Sequence, residues 1–173
     1  KFGDATQVLN YLNKLTEDQE SCLNLLNTRI ESKGAMGFLS LLPSTYQAVN
    51  ETCQSFKSDW FVDILGLLLN SVPEQSGYAG VIIFEGKNAE AQDCIFIKIR
   101  RAVDFSGVDL RNGEDKVKEL FGDLYMGGGG HAGAVSFRIH RLEEKELLAR
   151  LENLFSFFNN AIDAGKNEQQ GLS

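Results

Sequence analysis

YAGVIIFEGKNAEAQDCIFIKIRR, residues 78–101, reads as two strands joined by a short polar link. Residues 78–85 are a nearly continuous apolar run, the pattern of a strand buried on both faces. Asp93–Arg101 alternates instead: Ile95, Ile97 and Ile99 take one face, and Cys94, Phe96, Lys98 and Arg100 the other. The link, 86–92, is short enough to predict a hairpin. Residues 134–140 alternate again, with Val135, Phe137 and Ile139 on one face. Residues 33–42, KGAMGFLSLL, predict a further strand ended by Pro43. Within it Gly34 and Gly37 signal a bulge or a close backbone approach.

Helices are expected around these strands. In residues 4–31, Val8, Leu12, Leu15, Cys22, Leu26 and Ile30 fall near the spacing that puts side chains on one helix face. Thr16 to Gln19 fits a capping box, so a break near Leu15 is expected. A short helix is expected over 44–56. The run 59–69 is apolar almost all round and reads as a helix buried on more than one side, stopped by Asn70, Ser71 and Pro73. Residues 75–77 read as a turn. Val117, Leu120 and Phe121 mark a short helix over 114–121. Leu147, Leu151, Leu154, Phe158 and Ile162 mark a long last one, with Gly165 at its C-terminal cap and 166–173 as a loose tail. Strands with helices before, between and after predict an α/β (α+β) domain. Its core would be a single mixed β-sheet of about four to five strands flanked by helices, with an N-terminal helical arm. The expected organisation is an arm over 1–31, a domain over 32–165 and the tail.

Composition narrows the function. The 173 residues include 17 Lys+Arg and 24 Asp+Glu, a formal net charge of -7. That balance argues against a duplex-binding surface, whose affinity comes largely from neutralising phosphates, and leaves room for a local anion site. No apolar run approaches the roughly 18–20 residues of a membrane span, and no secretory signal opens the chain. Its first residue is Lys1, which reads as a fragment or a processed chain. Cys22, Cys53 and Cys94 are widely spaced and odd in number, so they are expected as buried or half-buried thiols in a reducing cytoplasm.

The most informative segment is MGGGGHAGA, residues 126–134. Consecutive glycines lose much backbone entropy on ordering, so a folded chain keeps them where φ is positive or something approaches closely. Residues 127–130 are expected outside regular structure, where consecutive N–H groups can form an anion-binding nest. His131 follows, placed to donate to a phosphate oxygen. A flexible loop with a surface histidine is the other reading.

Gly127 to His131, then Gly133, Ala134 and Phe137, resemble the G-G-G-H-x-x-A-A-G signature of the DHHA1 domain. That domain is the C-terminal, substrate-recognising half of DHH-family phosphoesterases, which include RecJ-like exonucleases, nano-RNases, cyclic-dinucleotide phosphodiesterases and exopolyphosphatase-like proteins. The apolar strand at 80–85, the strand ending Ile97-Lys98-Ile99-Arg100 and the segment 108–121 fall in the family's order. The resemblance is specific over 78–140 and looser over 33–77. Over 1–30 it rests on position and helicity. The chain departs from the pattern at Val135 (often Ala), at Ser136 (often Gly), in the insertion 122–126, and at Lys98 or Ile99, where the family commonly has Ser before its arginine. The resemblance implies that Gly128, Gly129, Gly130 and His131 hold a substrate phosphate, with Arg100 as charge partner. Arg101, on the opposite strand face, is second choice. An ion pair between Arg100 and an acid is the structural alternative.

The resemblance also implies what is missing. DHH phosphoesterases hydrolyse with two metal ions, usually manganese, held by Asp and His of an N-terminal half. This chain has only His131 and His140 and no D-H-H segment. Asp59 and Asp63 read as a solvated edge, His140 as surface, and Trp60 and Phe61 as core or contacts to an absent domain. No Ser-His-Asp, H-E-x-x-H or P-loop pattern occurs. The expected role is therefore substrate binding without catalysis. Its partners would be the N-terminal DHH domain and a phosphorylated small molecule or short oligonucleotide, and a homodimer is compatible. Two alternatives stay open: a nucleic-acid-binding module like the tail of alanyl-tRNA synthetase, and a non-enzymatic oligomerisation or docking domain with a vestigial glycine loop.

Overall fold

A computed structural model describes residues 4–42 and 60–171. In chain order the elements are helix α1 (Asp4–Asn27), strands β1 (Glu31–Lys33) and β2 (Met36–Ser40), helix α2 (Trp60–Ser76), strands β3 (Ala79–Lys87) and β4 (Asp93–Arg101), helix α3 (Glu114–Phe121), strands β5 (Tyr125–His131) and β6 (Ala134–Ile139), and helix α4 (Glu144–Gly171). Single 3-10 turns lie at Leu110–Gly113 and Gly122–Leu124.

The strands form one mixed sheet in the order β1-β2-β3-β4-β6-β5. Only β2 and β3 run parallel, as their long connection through α2 requires; the other neighbours are antiparallel. The expected α/β architecture holds, with six strands among the described residues. The alternation read in β4 and β6 has its physical basis in the core: Ile95, Ile97, Ile99, Val135, Phe137 and Ile139 all face α4. Across from them Leu147, Leu151, Leu154, Phe158 and Ile162 are fully buried. Each such side chain contributes about 1.5–3 kcal/mol by leaving water.

The other face of the sheet is covered unevenly. Over β2 and β3, Leu39, Ile82 and Phe84 pack against Ile64, Leu68 and Val72 of α2 and against Cys22 and Leu26 of α1. Gly37 and Gly80, paired across β2 and β3, admit α2 at close range: a Cβ on Gly37 would stand 2.4 Å from the Val72 carbonyl oxygen, and one on Gly80 2.7 Å from Pro73 N. Gly37 is thus the close approach the sequence suggested, and Gly34, at φ +68°, is the turn between β1 and β2. Beyond β4 this second face carries no helix among the described residues.

Several expectations are corrected. α1 is one unbroken helix, so the Thr16 segment is not a cap. α2 runs through Asn70, Ser71 and Pro73 to Ser76. A proline is tolerated there because it sits in the last turn, whose exit is closed by Gly77 at φ +79° with its N–H on the Pro73 carbonyl. α2 buries one stripe rather than several sides: Leu67 is 53% exposed. Gly165 lies inside α4, where a Cβ would meet the Gly107 carbonyl oxygen at 1.9 Å; α4 continues over the expected tail to Gly171. The expected helix over 44–56 lies outside the described residues, as do the side chains of Trp60 and Phe61. Cys22 is disulfide-bonded, and Cys94 is a buried free thiol. Wide sequence spacing places no bar on such a bridge, which is why the cysteine pattern did not reveal it.

Candidate functional site

The glycine run is an edge strand, not a loop. Gly127 to His131 pair residue by residue with Arg138 to Ala134, after a register shift between Tyr125 and Gly127. Successive N–H groups in a strand point to opposite sides, so the expected nest of consecutive N–H groups does not form. Glycine is depleted in strands, but three of these four positions require it. Gly127 and Gly130 have φ of +121° and +151°. Cβ atoms on Gly128 and Gly130 would lie 2.5 Å from the Ser136 carbonyl oxygen and 2.1 Å from that of Ala134.

Gly129 differs. Its φ is outside the left-handed region, and a Cβ there would meet nothing within 4 Å. The fold does not demand glycine at this position. Its open side forms part of a shallow cavity of about 190 Å³ lined also by Lys98, Arg100, His131, Ala134 and Ser136.

Strand register assembles this cavity. Arg100 pairs with Ala134 and Ala134 with His131, which makes one row across β4, β6 and β5. Lys98, Ser136 and Gly129 make the next row. By the period-two rule both rows point to the sheet face that α2 leaves bare. Arg100 and His131, far apart in sequence, are thereby brought together, with Gly129 beside them. Gly128 and Gly130 alternate away from the cavity and hold the strand's path. A second depression of about 240 Å³ adjoins on the far side of the Arg100–His131 row, lined by Ala102, Val103 and Gly133.

The site is held from behind. Arg101 N–H donates to the Gly133 carbonyl and Leu110 N–H to that of Ala132, both at 3.0 Å, which pins the turn joining β5 to β6. The Arg101 side chain leaves on the opposite face and donates to the Val108 carbonyl at 2.7 Å, so it braces the neighbouring loop. The Gly133 N–H donates to His131 Nδ1 at 3.2 Å. In the neutral imidazole that bond puts the proton on Nε2, the nitrogen free to donate to a ligand.

The electrostatics are one-sided. Among the described residues Arg100 forms no ion pair; its Nη1 donates to the neutral Asn70 side-chain oxygen at 3.1 Å, which fixes its direction. Lys98 and Arg138, on the same bare face, have no carboxylate partner among the described residues, whereas Lys33, Lys87, Arg111, Arg141 and Arg150 do. Burial, and then the Arg100 charge, pull the Lys98 ammonium below its ordinary value. At the start of β5, burial and a hydrogen bond to Glu114 push the Tyr125 phenol up to about 12, which keeps it protonated.

Lys98, Ser136 and Asn70 belong to this site without having been singled out as ligands. Alternation alone put Lys98 beside Arg100. Asn70 had no such signal, because it read as the end of its helix. Among the described residues no group of three or more His, Cys, Asp or Glu side chains is placed to hold a metal ion. The manganese pair that the resemblance implies therefore has no fitting donor set among them, and no chemical step is assigned to a metal here. Asp63 is exposed on α2 and His140 is exposed just after β6. No described helix is long and apolar enough to cross a membrane. The chain matches no protein-family model and no curated protein sequence.

Proposed function

We propose that this chain is the substrate-binding C-terminal domain of a metal-dependent DHH-family phosphoesterase acting on short oligonucleotides, cyclic dinucleotides, phosphonucleotides or polyphosphate. One observation carries the reading. Arg100 and His131 stand in a single cross-strand row beside Gly129, at a cavity with no acidic side chain among its described lining residues, in a chain of net charge -7. A guanidinium can grip two phosphate oxygens. His131 Nε2–H supplies a further donor, and Gly129 lets the phosphate approach the strand. The domain would orient the phosphate, and hydrolysis would take place on metals of the N-terminal DHH half, with the ligand held between the two. The bare sheet face beyond β4 is the surface offered to that half.

We place the protein in the cytoplasm. The Cys22 disulfide opposes a reducing compartment, so the redox state of this cysteine in cells tests the placement. For the function, the chain is mixed with a dinucleotide and Mn²⁺. Binding that His131→Ala and Arg100→Ala abolish, with no hydrolysis, supports the reading. Metal-dependent hydrolysis by this chain alone refutes it.

A further inference from the structure

The cavity beside His131 holds more positive charge than one phosphodiester needs. Lys98 and Arg100 project from the same face of β4, two residues apart, and both line the 190 Å³ hollow. No carboxylate among the described residues neutralises either; Arg100 has only the neutral Asn70 oxygen. Two cations side by side, one of them half-buried, are a costly arrangement for an unliganded fold. An anion seated between them removes that cost. Ser136 of β6 lies between Lys98 and Gly129, His131 of β5 lies across from Arg100, and Gly129 leaves its side of the hollow open. The hollow is small, and past the Arg100–His131 row it adjoins the second depression, lined also by Gly133 and the 87% exposed Val103.

We propose that Lys98 makes this a site for a terminal phosphate, a phosphomonoester, with the attached nucleoside lying toward Val103 in the adjoining depression. The inference rests on the phosphate-binding reading above and adds the class of phosphate. A monoester carries a charge of about −1.5 to −2 at neutral pH, whereas a diester carries a single charge. Arg100 and His131 suffice for the diester, and Lys98 rewards the second charge.

The test compares adenosine 5′-monophosphate with its methyl ester, a diester of the same shape, by calorimetric or NMR titration of the full chain. The wild-type chain is expected to favour the monoester by at least about tenfold, the difference one charge-assisted hydrogen bond makes. Lys98→Met keeps the apolar stem and loses the charge; it is expected to bind both probes at the level of the ester. Lys98→Arg is expected to keep the preference. A wild-type preference that survives in Lys98→Met overturns the role of Lys98 alone. Equal binding of the two probes by the wild type, still lost in His131→Ala, overturns the terminal-phosphate inference and leaves phosphate binding standing. Absence of binding of either probe at millimolar concentration overturns both.

Discussion

Replacing Gly129 by alanine separates stability from binding. An added Cβ at 129 meets nothing within 4 Å and needs no strained φ, so the fold accepts it. A glycine-to-alanine change at a compatible position stabilises by about 0.4–1 kcal/mol, because the unfolded chain loses freedom. For a domain of this size that raises Tm by about 1–4 °C. The new methyl enters the cavity that Arg100 and His131 share. It holds a phosphate away from its donors, and losing one charge-assisted hydrogen bond weakens binding by about 10–100-fold. Gly130→Ala is the control. There φ is +151° and the Cβ would lie 2.1 Å from a backbone oxygen, a contact no side-chain rotation relieves. Strain of this kind costs about 2–4 kcal/mol, and Tm should fall by about 5–15 °C. Calorimetric melting together with titration of adenosine 5′-monophosphate reads both effects. The reasoning fails if Gly129→Ala melts as early as Gly130→Ala, or if it binds phosphate as well as the wild type.

Further expectations follow from the same contacts. Lys98→Met should raise Tm in the absence of ligand, because burial and Arg100 disfavour the ammonium in the folded state; a lowered Tm contradicts this. Gly165→Ala, which sets a methyl against the Gly107 carbonyl, should cost about 2–4 kcal/mol in denaturant unfolding; an unchanged midpoint contradicts the close approach. Asp109, hydrogen-bonded to Arg111, has its carboxyl lowered to about 2. A depressed carboxylate stabilises the fold above its ordinary value of 3.8 and loses that contribution as pH falls toward 2. Carboxyl NMR should find its midpoint there, and a midpoint near 3.8 contradicts the pairing. Alkylation and mass spectrometry of the denatured, unreduced chain should modify Cys94 and not Cys22.

The sequence revealed those parts of the fold where side-chain periodicity meets a continuous core. The alternating isoleucines of β4 and the stripe from Leu147 to Ile162 landed on the faces expected. What it concealed was governed by tertiary contact. Glycines carry no periodicity, so β5 was invisible until β6 supplied a partner for it. Pro73 reads locally as a stop, yet the Gly37–Gly80 floor and the Gly77 cap let α2 pass through it. At the site, the G-G-G-H run pointed to His131, and alternation put Lys98 and Arg100 on one face. The row joining Arg100 to His131 is a fact of strand order, since β6 lies between β4 and β5, and no local pattern encodes that order.

The central claim is that the bare end of the sheet at Arg100, Gly129 and His131 receives a phosphate. An amide chemical-shift titration with adenosine 5′-monophosphate tests it directly. Shifts concentrated at Lys98, Arg100, Gly129, His131 and Ala134, and absent from His131→Ala, are the expected result. Shifts confined to the separate cavity around Ser32, Tyr78 and Lys166, or none at millimolar ligand, would contradict it.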